Sequence, residues 1–152
     1  DRAYYGKLIK GAKKEIRLIG KTAFHFLEDF ANRDGSHKEA TFLLEALGRG
    51  VSVRFLLPCP DRLSPSDKGK ANASKKRLDE LKLEFNDFSY RYFDHEESHS
   101  FFLADDEVII GPFFPHLASM DTPALHLDRS ATLPQKYIEY FDAEWKRNDD
   151  QA

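Results

Sequence analysis

The chain has 152 residues, is 41% hydrophobic and 32% charged, and carries a formal net charge of -3. This length suits one domain with a real core, and the weak acidic balance argues against an extended nucleic-acid surface, which needs a basic face. A single cysteine, Cys59, excludes an internal disulfide and fits a reducing compartment, and no apolar run approaches the ~20 residues of a membrane span.

Taken in chain order, Tyr4, Tyr5, Leu8, Ile9 and Ala12 recur at helical spacing and predict a first helix ending near Lys13. Glu15 to Gly20 reads as a strand, whereas Thr22 to Phe30 is apolar, short and ambiguous. Ser36 followed by Glu39 has the spacing of a capping box, and Ala40, Leu43, Leu44 and Leu47 then mark one helical face that Gly48 and Gly50 end. Val51 to Leu57 is a buried-type strand stopped by Pro58 and Pro60. Asp61 to Lys70 is polar and expected to be mobile, and Ala73 to Leu83 is a helix with Leu78 and Leu81 inward. Tyr90 to Phe93 is a short strand.

His99 to Ala104 and Val108 to Gly111 read as two strands joined at Asp105-Asp106. A loop with two prolines, Pro112 to Asp121, precedes a strand at Pro123 to Leu127. Thr132 opens a last helix with Gln135 at the capping-box position and Leu133, Tyr137, Phe141 and Trp145 as its core stripe. This order predicts an α/β fold, a mixed, mostly parallel sheet with helices on both faces. Sites in such sheets form at the carboxyl ends of strands, which directs attention to Lys21, Thr22, Pro58 and the hairpin.

Gly20-Lys21-Thr22 follows a strand like the end of a phosphate-binding loop, but Glu15 stands where the second glycine is required, so the motif is rejected. His95-Glu96-Glu97-Ser98-His99 matches the zinc-protease pattern, whose two histidines share one face of a helix. Its flanks are strand-like, and residues four apart on a strand lie about 13 Å from each other, too far to share one metal. A loop, with His116 or His126 as third ligand, would be needed to rescue a metal-dependent hydrolase using His95, Glu96 and His99. Lys68, Lys70, Lys75, Lys76 and Arg77 form a basic cluster without interleaved aromatics, which reads as a solvated helix face.

The pattern His99-x-Phe101-x4-Asp106, then Val108-Ile109-Ile110 and the turn Gly111-Pro112, resembles the phospholipase D superfamily signature H-x-K-x4-D followed by Gly-Ser. Leu43 to Leu57 is similar to the helix, Arg-Gly-Val turn and strand before that signature, and Tyr137 to Lys146 is similar to the family's closing helix. The resemblance runs from about Ala12 to Trp145 and extends to phospholipase D-like domains at the C-terminus of helix-turn-helix regulators. It implies one phospholipase D-like domain over residues 1–152. The start Asp1-Arg2-Ala3, without an initiator Met, suggests that this domain is excised from a longer chain.

In the family, two signatures face each other across two halves or two subunits. One histidine attacks phosphorus, the other protonates the leaving oxygen, and the lysine stabilises phosphate charge. The resemblance places His99 at the nucleophile position and Asp106 at the motif Asp by count, with Asp105 as the competing candidate. Phe101 replaces the lysine, and Pro112 replaces the serine while lacking a backbone donor. Losing one preorganised charge stabiliser costs on the order of 10²–10³ in rate, and two are missing. Lys21, Arg54, Arg91 and Arg129 are candidate compensating cations, and a structural hydrogen bond is the competing reading of His99.

Three readings follow. The first is a catalytically degenerate domain serving as a ligand-sensing or dimerisation module of a larger cytoplasmic protein, such as a transcription regulator. Its ligand would be lined by His99, Phe101, Lys21, Thr22, Asp121 and His126. The second is an active phosphodiesterase or nuclease using His99 and Asp106 across a dimer interface. The third is the metal-dependent hydrolase. The first is preferred. It expects a homodimer, no cofactor or metal, no membrane, an unidentified small or phosphate-containing ligand, and nucleic-acid contact only through a region beyond this chain.

Overall fold

Apolar residues at alternate strand positions put one row on each side of a single sheet. The computed structural model describes residues 2–96, 99–113 and 123–148. Its elements are α1 (Arg2–Gly11), β1 (Glu15–Ile19), α2 (Phe24–Phe30), α3 (Phe42–Gly48), β2 (Ser52–Pro58), a 3₁₀ turn (Pro60–Arg62), α4 (Pro65–Glu84), β3 (Phe88–Phe93), β4 (His99–Ala104), β5 (Glu107–Pro112), β6 (Leu125–Asp128) and α5 (Thr132–Arg147). The six strands form one sheet in the order β3-β2-β1-β4-β5-β6.

The pairings β1–β2 and β2–β3 are parallel, and β1–β4, β4–β5 and β5–β6 are antiparallel. Four strands, β1, β2, β3 and β5, therefore run one way and two run the other. The mixed α/β sheet with helices on both faces expected from sequence is observed, and four of its six strands run parallel to one another.

Alternation sorts the core into two layers. Ile16, Leu18, Val53, Phe55, Phe88, Tyr90, Phe102 and Ile109 face one side and pack with α1, α2, α3 and α4. Ile19, Leu56, Phe93, Phe101, Leu103, Val108 and Ile110 face the other, where Ile138 and Phe141 of α5 cover them. Among the described residues, helices thus lie on both faces, four against one.

Several local expectations are corrected. The segment Asp61 to Lys70 is not a mobile loop. Ser64 caps α4 by accepting from the Asp67 amide, and Pro65 sits at the first helical position, where its missing N–H costs nothing. Polar composition hid this start because only Ala71, Ser74, Leu78 and Leu81 turn inward. The Ser36/Glu39 capping box does not form, and α3 starts at Phe42 after Thr41, whose hydroxyl donates to Glu45 at 2.8 Å. In α5, Leu133 is 45% exposed. The buried residues there are Pro134, Ile138, Phe141 and Glu144, with Tyr137 and Trp145 packed at their sides. The ambiguous segment after Thr22 is helical, and Thr22 Oγ1 accepts the Phe24 amide where Ala23 adopts φ 61°. Most of the proline loop, residues 114–122, lies outside the described residues, and Asp121 and His116 lie with it.

Candidate functional site

The carboxyl ends of β1, β2, β3 and β5 meet the start of β4, and His99 is the first residue of that strand. It pairs with Pro112, and Phe101 pairs with Ile110 and Ile19. Lys21 follows two residues after Ile19, and its ammonium lies 4.9 Å from the ring centre of Phe113, next after Pro112. This edge therefore gathers Lys21, His99, Pro112 and Phe113. Helix α5 closes one side of it. Tyr137 meets His99 edge-on at 5.9 Å and stacks nearly parallel on Phe101 at 5.8 Å. Phe101 is fully buried and also touches Phe141 at 6.2 Å. The position beside His99 on its own face is an aromatic stack.

His95 does not combine with His99 on a helix. Its Nε2 donates to Glu144 Oε1 at 2.7 Å, its Nδ1 faces the Glu96 carbonyl at 2.9 Å, and its ring stacks on Phe93 at 4.5 Å. Glu144 is 3% exposed, and burial opposes its charge. Hydrogen bonds from Arg147 and His95 outweigh that penalty and hold the carboxyl below its ordinary range. Among the described residues, no group of three or more His, Cys, Asp or Glu is arranged to hold a metal ion. The sequence reading missed Glu144. Its signal was a carboxylate three residues after Phe141 on the inward side of α5.

Among the described residues, Asp105, Asp106, Arg129, His126, Arg54 and Arg91 do not join this edge, whereas Thr22 adjoins it next to Lys21. Five residues of β4, Ser100 to Ala104, separate His99 from Asp105 at the hairpin turn, about 20 Å at ordinary strand rise. Asp106 is exposed there and cannot reach a group reacting at His99. Asp105 is the turn residue, at φ 53°. Its carboxylate accepts the backbone amides of Lys13, Lys14 and Glu15 at 2.8, 2.9 and 3.0 Å. Partial burial raises its pKa, but these three amides prevail and hold it below the ordinary carboxylate value. Arg129 is also at this end, bound to Glu15 at 2.7 Å and to the Asp105 carbonyl at 3.0 Å, and cannot compensate for a cation at His99. An open groove of about 490 Å³ there is lined by Lys13, Lys14, Glu15, Asp105, Asp106 and Arg129. His126 opposes Ile109, so it points to the four-helix face, where it bonds Tyr4 and Glu107. Arg54 and Arg91 lie on the α5 face against Trp145.

No protein-family model matches the sequence, and no curated protein matches it. Solved structures do match. TrmBL2, described as an archaeal chromatin protein with a novel mode of DNA binding, superposes with a TM-score of 0.62 at 16% identity, covering 98% of this chain and 49% of its own. The chain thus spans about half the length of that protein. Nuc from Salmonella typhimurium, a phospholipase D family member, gives 0.57 at 15% identity over 98% of this chain and 89% of its own. NucT from Helicobacter pylori gives 0.62 at 11% identity over 97% and 89%. At these identities the similarity is one of fold. The chain has the phospholipase D-like fold.

Proposed function

We propose that this chain is a catalytically degenerate phospholipase D-like domain, serving as a ligand-sensing or dimerisation module of a larger regulatory protein. The observation that carries this reading is the burial of Phe101. Phosphoryl-transfer chemistry needs a fixed cation or donor aimed at the charge that develops on the phosphate oxygens. Beside His99, the strand offers instead a fully buried ring stacked on Tyr137. Pro112, paired with His99, has no amide to donate. Among the described residues, Lys21 is the cation at this edge, and its ammonium rests over Phe113. Such an edge suits recognition better than turnover. TrmBL2, described by its DNA binding, is a precedent for this fold within a longer chain.

Hydrolysis of bis-p-nitrophenyl phosphate tests the proposal. The expected result is no turnover above the buffer rate, with or without zinc. Hydrolysis lost in His99→Ala would overturn the reading in favour of a phosphodiesterase. Zinc-dependent hydrolysis lost in both His95→Ala and His99→Ala would favour a metal-dependent hydrolase. Sedimentation addresses the dimerisation role, for which a strict monomer at high concentration is the opposing result.

A further inference from the structure

The α5 face of the sheet is unevenly covered. Among the described residues one helix covers this face, and its last turn, through Trp145, reaches Arg54 of β2 and Arg91 of β3. Arg17 of β1 is directly in register with Arg54, and Arg54 with Ser89 of β3. Three guanidinium groups are thus brought onto one side of three adjacent strands.

Their partners differ. Arg17 binds Glu15 at 2.8 Å and Asp142 at 2.7 Å, so its charge is answered. Arg91 stacks on the indole with its guanidinium carbon 4.4 Å from the ring centre and donates Nη1 to the Trp145 carbonyl. That satisfies one carbonyl near the end of α5, but Arg91 Nε is buried without a partner among the described residues. Arg54 lies 5.4 Å from the same indole and has no carboxylate or carbonyl acceptor among the described residues. The other arginines all have one. Arg2, Arg33, Arg62, Arg77, Arg129 and Arg147 bind carboxylates, and Arg49 binds the last carbonyls of α1.

A half-buried guanidinium beside two others raises the energy of its own face, since like charges on neighbouring strands repel. Stacking on an indole offsets part of this but leaves the in-plane donors unused. Those donors form a planar fork that fits a tetrahedral or planar oxyanion through two parallel bonds. The Ser89 hydroxyl, opposite Arg54, adds a neutral donor at the same level.

We infer that Arg54, with Arg91, Ser89 and Trp145, forms an oxyanion site for a phosphate group, taken either free or as a phosphodiester of single-stranded nucleic acid. The site is separate from the His99 edge, and it does not depend on whether His99 is catalytic. The indole already has Phe141 stacked at 5.8 Å and the two guanidinium groups over its ring. A base would therefore add little by stacking, and recognition would rest on the phosphate.

Trp145 is the sole tryptophan, so its fluorescence reports on the site directly. Inorganic phosphate and a short single-stranded oligodeoxynucleotide are titrated separately into the whole chain. The expected result is a saturable change in emission with at least one probe, weakened at least tenfold in Arg54→Met and less in Arg54→Lys. His99→Ala and Arg62→Met should leave it unchanged. Tighter binding of the oligonucleotide that weakens with salt, with a logarithmic slope of about -0.7 per phosphate held, identifies the polymer as the source. Binding of phosphate alone identifies the free anion. The wild-type ¹⁵N shifts of the Arg54 and Arg91 side chains, compared with Arg62, give the same answer should Arg54→Met fail to fold. No saturable response to either probe, or an undiminished one in Arg54→Met, overturns the assignment.

Discussion

The two ends of the β4–β5 hairpin have been treated differently by the same sequence. At the turn end, the Asp105 carboxylate gathers three amides at the entry to β1, and Arg129 ties Glu15 to the Asp105 carbonyl. At the open end, the fully buried Phe101 stacks on Tyr137, and His99 pairs with Pro112, which has no amide to donate. The difference separates architecture from chemistry. The aspartate holds the hairpin to the rest of the sheet and serves the fold whether or not a phosphate is processed. At the open end the contacts that hold the strand are instead ring contacts between Phe101 and the α5 residues Tyr137 and Phe141.

Removing the ring should have the largest effect. Phe101→Ala empties a fully buried site between Tyr137 and Phe141 and should cost about 4 kcal/mol in urea unfolding, against a near-neutral effect if the open end were solvated. Asp105→Ala should come next, at about 2 kcal/mol, because it removes the acceptor shared by three amides and leaves at φ 53° an alanine, which lacks the local hydrogen bonds that let aspartate tolerate that conformation. Asp105→Gly should lose less, since it relieves the backbone.

The pH dependence sharpens the same contrast. The folded pKa of Asp105 is depressed, so its contribution is complete above the unfolded value near 3.9 and is lost as pH falls through the folded value. The gap in stability between the wild type and Asp105→Asn should therefore narrow below about pH 4 in acid-unfolding curves. Asp106→Ala should have the smallest effect, within about 0.5 kcal/mol, as expected of an exposed turn side chain. A loss as large as that of Asp105→Ala would reverse the assignment of the two aspartates.

Counting from His99 selects Asp106 as the motif residue, yet the hydrogen bonds belong to Asp105. The count cannot see that a two-residue turn puts its first residue in the left-handed region, where an aspartate can fold its carboxylate back onto β1. In the same way, H-E-x-x-H spacing assumes a helix, whereas His99 begins a strand and His95 is engaged by Glu144. Ser36 and Glu39 had the letters of a capping box, but the chain makes turns there before α3 begins.

The sequence by itself determined the succession of elements apart from α2 and the start of α4, together with the hairpin at Asp105-Asp106 and the sharing of one face by His99 and Phe101, because periodicity and turn chemistry are local. Tertiary structure alone decided that Tyr137 stacks on Phe101, that His126 turns to the opposite face, and that Arg54 and Arg91 meet at Trp145. Those outcomes depend on strand order and on how one helix crosses the sheet. The residues involved are far apart in sequence, and no spacing along the chain encodes their meeting.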